Sequence, residues 1–160
     1  MLLYLMRHGE AVSERENRAR PLSRQGETDV RELAGLLAHR FRLMPGHIFH
    51  SPKLRAAQTA SIVSQTLPLA PAPEERDGLR PSDDPAVWSQ HLEVMDKDTM
   101  LVGHLPHLPR LASLLLLHDG GRDILDFTPG TVVCLEKAGR WRVKWMISPQ
   151  ILKAGGDHSV

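Results

Sequence analysis

An unbroken apolar run, Leu2-Leu3-Tyr4-Leu5-Met6, stops abruptly at Arg7-His8-Gly9-Glu10. A short run without polar alternation reads as a strand buried on both faces, and such strands belong to parallel sheets covered by helices on either side. The polar cluster then falls at the strand's carboxyl end, where open α/β sheets hold their ligands. Histidine can act as a nucleophile, arginine matches phosphate oxygens with its planar fork, and glycine lets a backbone come close to a bound group. The stretch points to phosphoryl chemistry, against the plainer reading of a solvated turn.

The pattern recurs. Thr99-Met100-Leu101-Val102 reads as another buried strand, with Gly103-His104 directly after it. Leu108, Leu111, Ala112 and Leu115 then mark a helix, so His104 sits at a helix start where backbone N–H groups face any anion. His47-Ile48-Phe49-His50 reads as a third strand. Ser51-Pro52 follows with the signal of a helix start, serine as cap and proline in the first helical position. Ala56, Thr59, Ala60, Val63 and Leu67 mark that helix's buried stripe. Arg55 falls in its first turn, a position mildly unfavourable to the helix and favourable to an anion.

The connecting segments are less regular. Residues 11–21 form a polar, arginine-rich loop in which Arg20, held by Pro21 near a helix start, is a candidate phosphate contact. Ser23 is the expected cap of a helix carrying Val30, Leu33, Ala34, Leu37 and Phe41 on one face, with Glu27 and Arg31 as an i,i+4 pair. Five prolines break residues 67–85 into loop with room for one short strand. Glu74, Glu75, Asp77, Asp83 and Asp84 lie there; one could serve as a general acid, although charge in such a loop is usually only solvated. Asp84-Pro85 opens a helix through Trp88, His91, Leu92 and Met95. Thr131–Leu135 and Trp141–Ile147, joined through Lys137–Arg140, form a hairpin in which Trp141, Val143, Trp145 and Ile147 alternate with charged residues. Residues 148–160 contain Gly155-Gly156 and few anchors, so a docked beginning and a partly disordered tail over about 150–160 are expected.

The expected fold is α/β: one domain over residues 1–160, a three-layer αβα sandwich whose mostly parallel central sheet ends in a C-terminal antiparallel hairpin. With 20 Lys plus Arg against 19 Asp plus Glu, the net charge of +1 argues for neither nucleic acid nor an anionic membrane surface. The single Cys134 fits a reducing compartment, and no apolar segment approaches the roughly 20 residues needed to span a bilayer, so a cytoplasmic location is expected. No long exposed apolar face is evident, which suggests a monomer. The spacings His47/His50 and His104/His107 raise a zinc site, but no cysteines or acidic pair accompany them, and neither metal nor cofactor is expected.

Taken together, Arg7-His8-Gly9-Glu10, Ser51-Pro52 with Arg55-Ala56 and Gln58-Thr59, and Val102-Gly103-His104 resemble the three signature segments of the histidine phosphatase (phosphoglycerate mutase-like) superfamily. Short length, Arg20-Pro21-Leu22-Ser23 with Gly26, His104-Leu105-Pro106, and Trp145 to Pro149 with Leu152-Lys153 are similar to its SixA-type phosphohistidine phosphatases. The resemblance implies that His8 is the nucleophile and forms a transient phosphohistidine. Arg7, Arg55 and His104 would surround the phosphoryl group, and Arg20 would add a contact, with no metal. A neutral His8 is expected, one nitrogen aimed at phosphorus and the other donating to a backbone carbonyl. Relatives that cleave phosphate esters carry a carboxylic acid after the third strand, where this chain has Gly78; Asp77 and Glu75 are only nearby. That favours a P–N substrate, because nitrogen can be protonated before it leaves. The implied partner is a phosphorylated protein, such as a histidine phosphotransfer domain, or a small phosphorylated molecule. A broad phosphomonoesterase and a non-catalytic phosphate-binding module are the alternatives.

Overall fold

Every residue of Thr99–Gly103 is buried, as are the inner four of Leu2–Arg7, so these two strands form the middle of a covered sheet. The computed structural model describes residues 1–154. Its strands are β1 (Leu2–Arg7), β2 (His47–His50), β3 (Glu74–Glu75), β4 (Thr99–Gly103), β5 (Val132–Ala138) and β6 (Arg140–Ile147); its helices are α1 (Arg24–Leu36), α2 (Leu54–Thr66), α3 (Pro85–Val94), α4 (His107–Leu117) and α5 (Gln150–Ala154). The sheet order is β3-β2-β4-β1-β5-β6. The first four are mutually parallel, and β5 runs antiparallel to both its neighbours.

Side chains alternate across the sheet and meet helices on both sides. Tyr4, Met6, Ile48, Met100 and Val102 pack with Val30 and Leu33 of α1 and Ala60 and Val63 of α2. Leu3, Leu5, Phe49 and Leu101 pack on the other face with Trp88 and Leu92 of α3 and Leu108 and Leu111 of α4. Each fully buried leucine contributes about 1.5–3 kcal/mol of transfer free energy. This is the expected three-layer arrangement. No helix among the described residues is long and apolar enough to cross a membrane.

Four local expectations need correction. Ser51 does not cap α2, which begins at Leu54 after Lys53, because the serine hydroxyl is engaged across the sheet. The face of α1 ends at Leu37: a π-helical turn over Leu37–Phe41 rotates Phe41 outward, where its ring meets Trp145 at 4.8 Å. Glu27 and Arg31 form no ion pair among the described residues; on α1 it is Asp29 that is paired, with Lys153 at 3.1 Å. The hairpin's alternation is interrupted by a register shift between Cys134 and Leu135, which turns Trp141 toward one core and Trp145 and Ile147 toward the other. At the C-terminus, residues 150–154 form α5, tied to α1 through Lys153; the rest of the anticipated tail lies outside the described residues.

Candidate active site

Register alone brings the histidine-bearing segments together. β4 lies between β2 and β1, with Arg7 opposite Gly103 and His50 opposite Val102. The next residues along these strands, His8, His104 and Ser51, therefore share one rim. His8 N–H donates to the Gly103 carbonyl and Ser51 N–H to the Val102 carbonyl, both at 3.0 Å, extending the ladders by one step. The two imidazoles, both buried, lie 4.9 Å apart between ring centroids.

Gly9 takes its shape from helix packing. A Cβ on it would sit 2.7 Å from Val30 Cγ2, and one on Gly26 only 2.1 Å from the Glu10 carbonyl oxygen. The close approach expected of this glycine is thus to α1, whose first turn, capped by Ser23 Oγ accepting from Gly26 N–H at 3.0 Å, presses against the segment behind His8. Thr59 Oγ1 joins the same assembly, accepting from Gly9 N–H at 3.1 Å and donating to the Arg55 carbonyl at 2.7 Å. One hydroxyl links the histidine segment to the turn that carries Arg55.

Two bonds fix the tautomer of His8. Its Nδ1 lies 2.6 Å from the Gly9 carbonyl oxygen, which can only accept, so Nδ1 carries the proton. Nε2 accepts from Arg55 Nε–H at 3.2 Å and so keeps its lone pair. Burial, opposed by the Gly9 carbonyl and reinforced by Arg55, Arg7 and Arg20, pushes the His8 pKa down to about 4. Burial first, then His8, Arg55, Lys53 and His107, lowers that of His104 to about 3. Both rings are neutral at pH 7.

The arginines converge from three elements. Arg7 donates through Nη1 to the Phe127 carbonyl at 2.7 Å, and its buried Nε has no hydrogen-bond partner among the described residues. Arg20 donates through Nε to the Val12 carbonyl at 3.2 Å from a left-handed backbone conformation, φ 48°. Such a conformation costs a non-glycine residue about 1 kcal/mol or more; the bridge between Ala11 and Leu22 holds the loop that imposes it. Burial lowers the pKa of Arg55, with Arg20 and Arg7 adding to the effect, and burial likewise lowers that of Arg7. Guanidiniums keep their charge through such shifts.

Sequence reasoning misses Ser51 and Thr59 as site residues, because the first has the signal of a cap and the second the spacing of a buried stripe. Ser51 Oγ lies 2.7 Å from His104 Nε2 and accepts from Lys53 N–H at 3.3 Å. The Ser51 hydroxyl can therefore donate to Nε2 of this imidazole, and Nδ1 of His104 is buried with no partner among the described residues. Replacing Ser51 with alanine should lower kcat about tenfold, the value of one hydrogen bond of about 1.4 kcal/mol, with unchanged circular dichroism. An unaltered kcat in the alanine variant would show that Ser51 does not orient His104 for the reaction.

The proposed acids are not gathered in. Asp77 is exposed and accepts from Arg80 Nη1 at 3.2 Å, Glu75 is exposed, and no carboxylate contributes to the shift of either His8 or His104. Gly78 has φ +80°, and a Cβ there would lie 3.2 Å from the Trp88 ring, so a longer side chain at this position is strained. Of the histidines suggested for zinc, His50 Nδ1 donates to its own neighbour's carbonyl, Ser51 O, at 2.9 Å, and His104 Nε2 faces Ser51 Oγ at 2.7 Å. Among the described residues no three of His, Cys, Asp and Glu gather as metal ligands would.

The depressed imidazole pKa values make stability depend on pH. An unfolded histidine takes a proton near pH 6.5 whereas folded His8 and His104 do so near 4 and 3. The unfolded chain thus binds more protons between those limits, and stability is full above pH 6.5 and falls as pH drops toward 4. Urea midpoints at pH 7 and pH 4.5 should differ, and the difference should shrink in His104→Gln; equal shrinkage in a surface control, His39→Gln, would contradict the assignment.

Residues 3–83 match the family model described as histidine phosphatase superfamily (branch 1). The phosphohistidine phosphatase SixA of Escherichia coli (strain K12) is 28% identical over 160 residues, covering 96% of this chain and 97% of that protein. The structure is similar to that of the protein histidine phosphatase SixA complexed with tungstate, with a TM-score of 0.83 and 27% identity over 95% of this chain and 99% of the other. A phosphoserine phosphatase from Entamoeba histolytica, 16% identical with a TM-score of 0.67 and coverage of 92% and 96%, shares the fold.

Proposed function

Because the chain belongs to the histidine phosphatase superfamily, we propose that it hydrolyses the P–N bond of a phosphohistidine in a protein, through a covalent intermediate on His8. The observation that carries this reading is the tautomer of His8: Nδ1–H held by the Gly9 carbonyl, and an Nε2 lone pair flanked by Arg55. Phosphoryl transfer asks mainly for in-line positioning and for positive charge around the equatorial oxygens. Arg55 keeps the lone pair oriented in the free protein and turns its guanidinium onto the phosphoryl oxygens as substrate arrives. Arg7 and Arg20 supply further charge, and His104 donates from Nδ1–H as a neutral ring. Nε2 attacks phosphorus, the substrate's P–N bond breaks with its nitrogen already protonated, and water then releases inorganic phosphate from His8.

The P–N preference follows from what surrounds the imidazoles. An ester oxygen leaves poorly without a proton donor, whose contribution is about 10²–10⁴ in rate. Gly78 has no side chain to supply one, and Asp77 is exposed beside Arg80 and acts on neither imidazole. The likeness to a phosphohistidine phosphatase over nearly the whole chain supports the same substrate class. Turnover of a phosphohistidine protein should exceed that of an alkyl ester, the same protein carrying phosphoserine at the target position, by about 10²-fold in kcat/KM, with His8→Ala as control. Faster ester cleavage would instead favour a broad phosphomonoesterase and bring Asp77 or Glu75 back as the acid.

A further inference from the structure

The side chains of Arg18 and Lys53 make no hydrogen bond to the groups placed around the phosphoryl site above, yet they line the space leading to it. With Glu14, Arg20, Leu54 and Arg55 they border a groove of about 420 Å³ between the loop after His8 and the start of α2. Four cations there face the single carboxylate of Glu14, in a chain whose formal net charge is only +1. None of the ion pairs among the described residues uses any of these five charged groups. Surfaces normally intersperse the two signs, and unpaired cations held close together repel one another. Such an arrangement favours an anionic ligand that supplies the missing partners.

The groove has an inner and an outer end. Arg20 and Arg55 act electrostatically on His8, and Lys53 acts on His104, whereas Arg18 acts on neither. A phosphoryl group held at His8 engages Arg7, Arg20 and Arg55, which leaves Lys53 and Arg18, both exposed, along the rim. Leu54, 42% exposed, stands beside Lys53 and offers an apolar contact. Pockets for small molecules bury most of their ligand behind largely apolar walls. Here the walls are charged and open, which suits a surface that touches several points at once.

We infer that the groove recognises an acidic protein surface: carboxylates flanking the phosphorylated residue pair with Lys53 and Arg18 while an apolar neighbour rests on Leu54. This deepens the proposed function and rests on it for the identity of the phosphorylated residue. Lys53 and Arg18 are then specificity determinants whose contribution falls with salt.

The test uses two peptides that differ only in having Asp and Glu, or Asn and Gln, around the target, each prepared with phosphohistidine and with phosphotyrosine. The full-length protein should prefer the acidic member of a pair about five- to tenfold in kcat/KM at low salt, the worth of two exposed ion pairs. Arg18→Gln/Lys53→Gln should abolish that preference while changing turnover of the neutral peptides by less than about twofold. Equal kcat/KM for acidic and neutral peptides in the unaltered protein overturns the inference, as does a double variant that slows both alike. If only the phosphotyrosine pair is cleaved and the acidic preference persists, the groove stands and the P–N assignment falls. If the phosphohistidine pair is cleaved without preference, the P–N assignment stands and the groove falls. No turnover of any peptide overturns both.

Discussion

Replacing His8 with alanine is expected to cost about 10⁴–10⁶ in turnover, the range seen when a covalent nucleophile is removed and only binding and electrostatics are left. His8 Nε2 is a buried lone pair oriented by Arg55, and the bond from Nδ1 to Gly9 fixes which nitrogen carries it. The loss should be chemical and not structural: the strand ladder at this point uses His8 N–H and the Gly103 carbonyl, which alanine retains. His8→Asn sharpens the test, since its amide can still donate to the Gly9 carbonyl but has no nucleophilic nitrogen. Steady-state kinetics, with circular dichroism to verify folding, should find both variants inactive. Activity within about tenfold of the unaltered protein in either would mean that another group attacks phosphorus.

The second large effect is expected for Arg55→Ala, at about 10²–10³ in kcat, as for other single donors to a developing oxyanion. Thermal stability should hardly change. The bond that ties this turn to Gly9 runs through Thr59 and the Arg55 main-chain carbonyl, both unaffected, and removing a cation from a helix's first turn is favourable by a few tenths of a kcal/mol. Arg55 also helps to hold the His8 pKa down, so its removal should move the acid limb of the kcat/KM profile to higher pH. Arg55→Lys should recover only part of the loss, because an ammonium keeps the charge but not the planar, two-pronged contact. A pH profile that stays in place in Arg55→Ala would separate this arginine from His8.

How much of this is legible in the sequence depends on the range of the interaction. β1, β2 and β4 follow directly from their apolar runs, because burial on both faces demands it, and Asp84-Pro85 opens α3 as expected. Ser23 likewise caps α1. Ser51 shows the limit: Ser-Pro carries a local start signal, but a contact with His104, 53 residues away, outweighs it and the helix begins later. Thr59 has the apolar spacing of a core position while its hydroxyl serves the site. The left-handed Arg20 and the shifted register at Cys134 arise from loop closure and strand pairing, neither of which leaves a periodic trace. The convergence of His8, His104 and Ser51 needed one fact beyond the runs themselves, that β4 lies between β1 and β2.

The most direct measurement of covalent catalysis by His8 is to mix the protein with a phosphorylated substrate, quench within a single turnover, and locate the phosphoryl group by mass spectrometry. One acid-labile phosphate should appear on His8 in the unaltered protein, accumulating less in Arg55→Ala and absent from His8→Asn. Turnover with no label at all, or with the label on His104, would contradict the assignment of His8 as nucleophile.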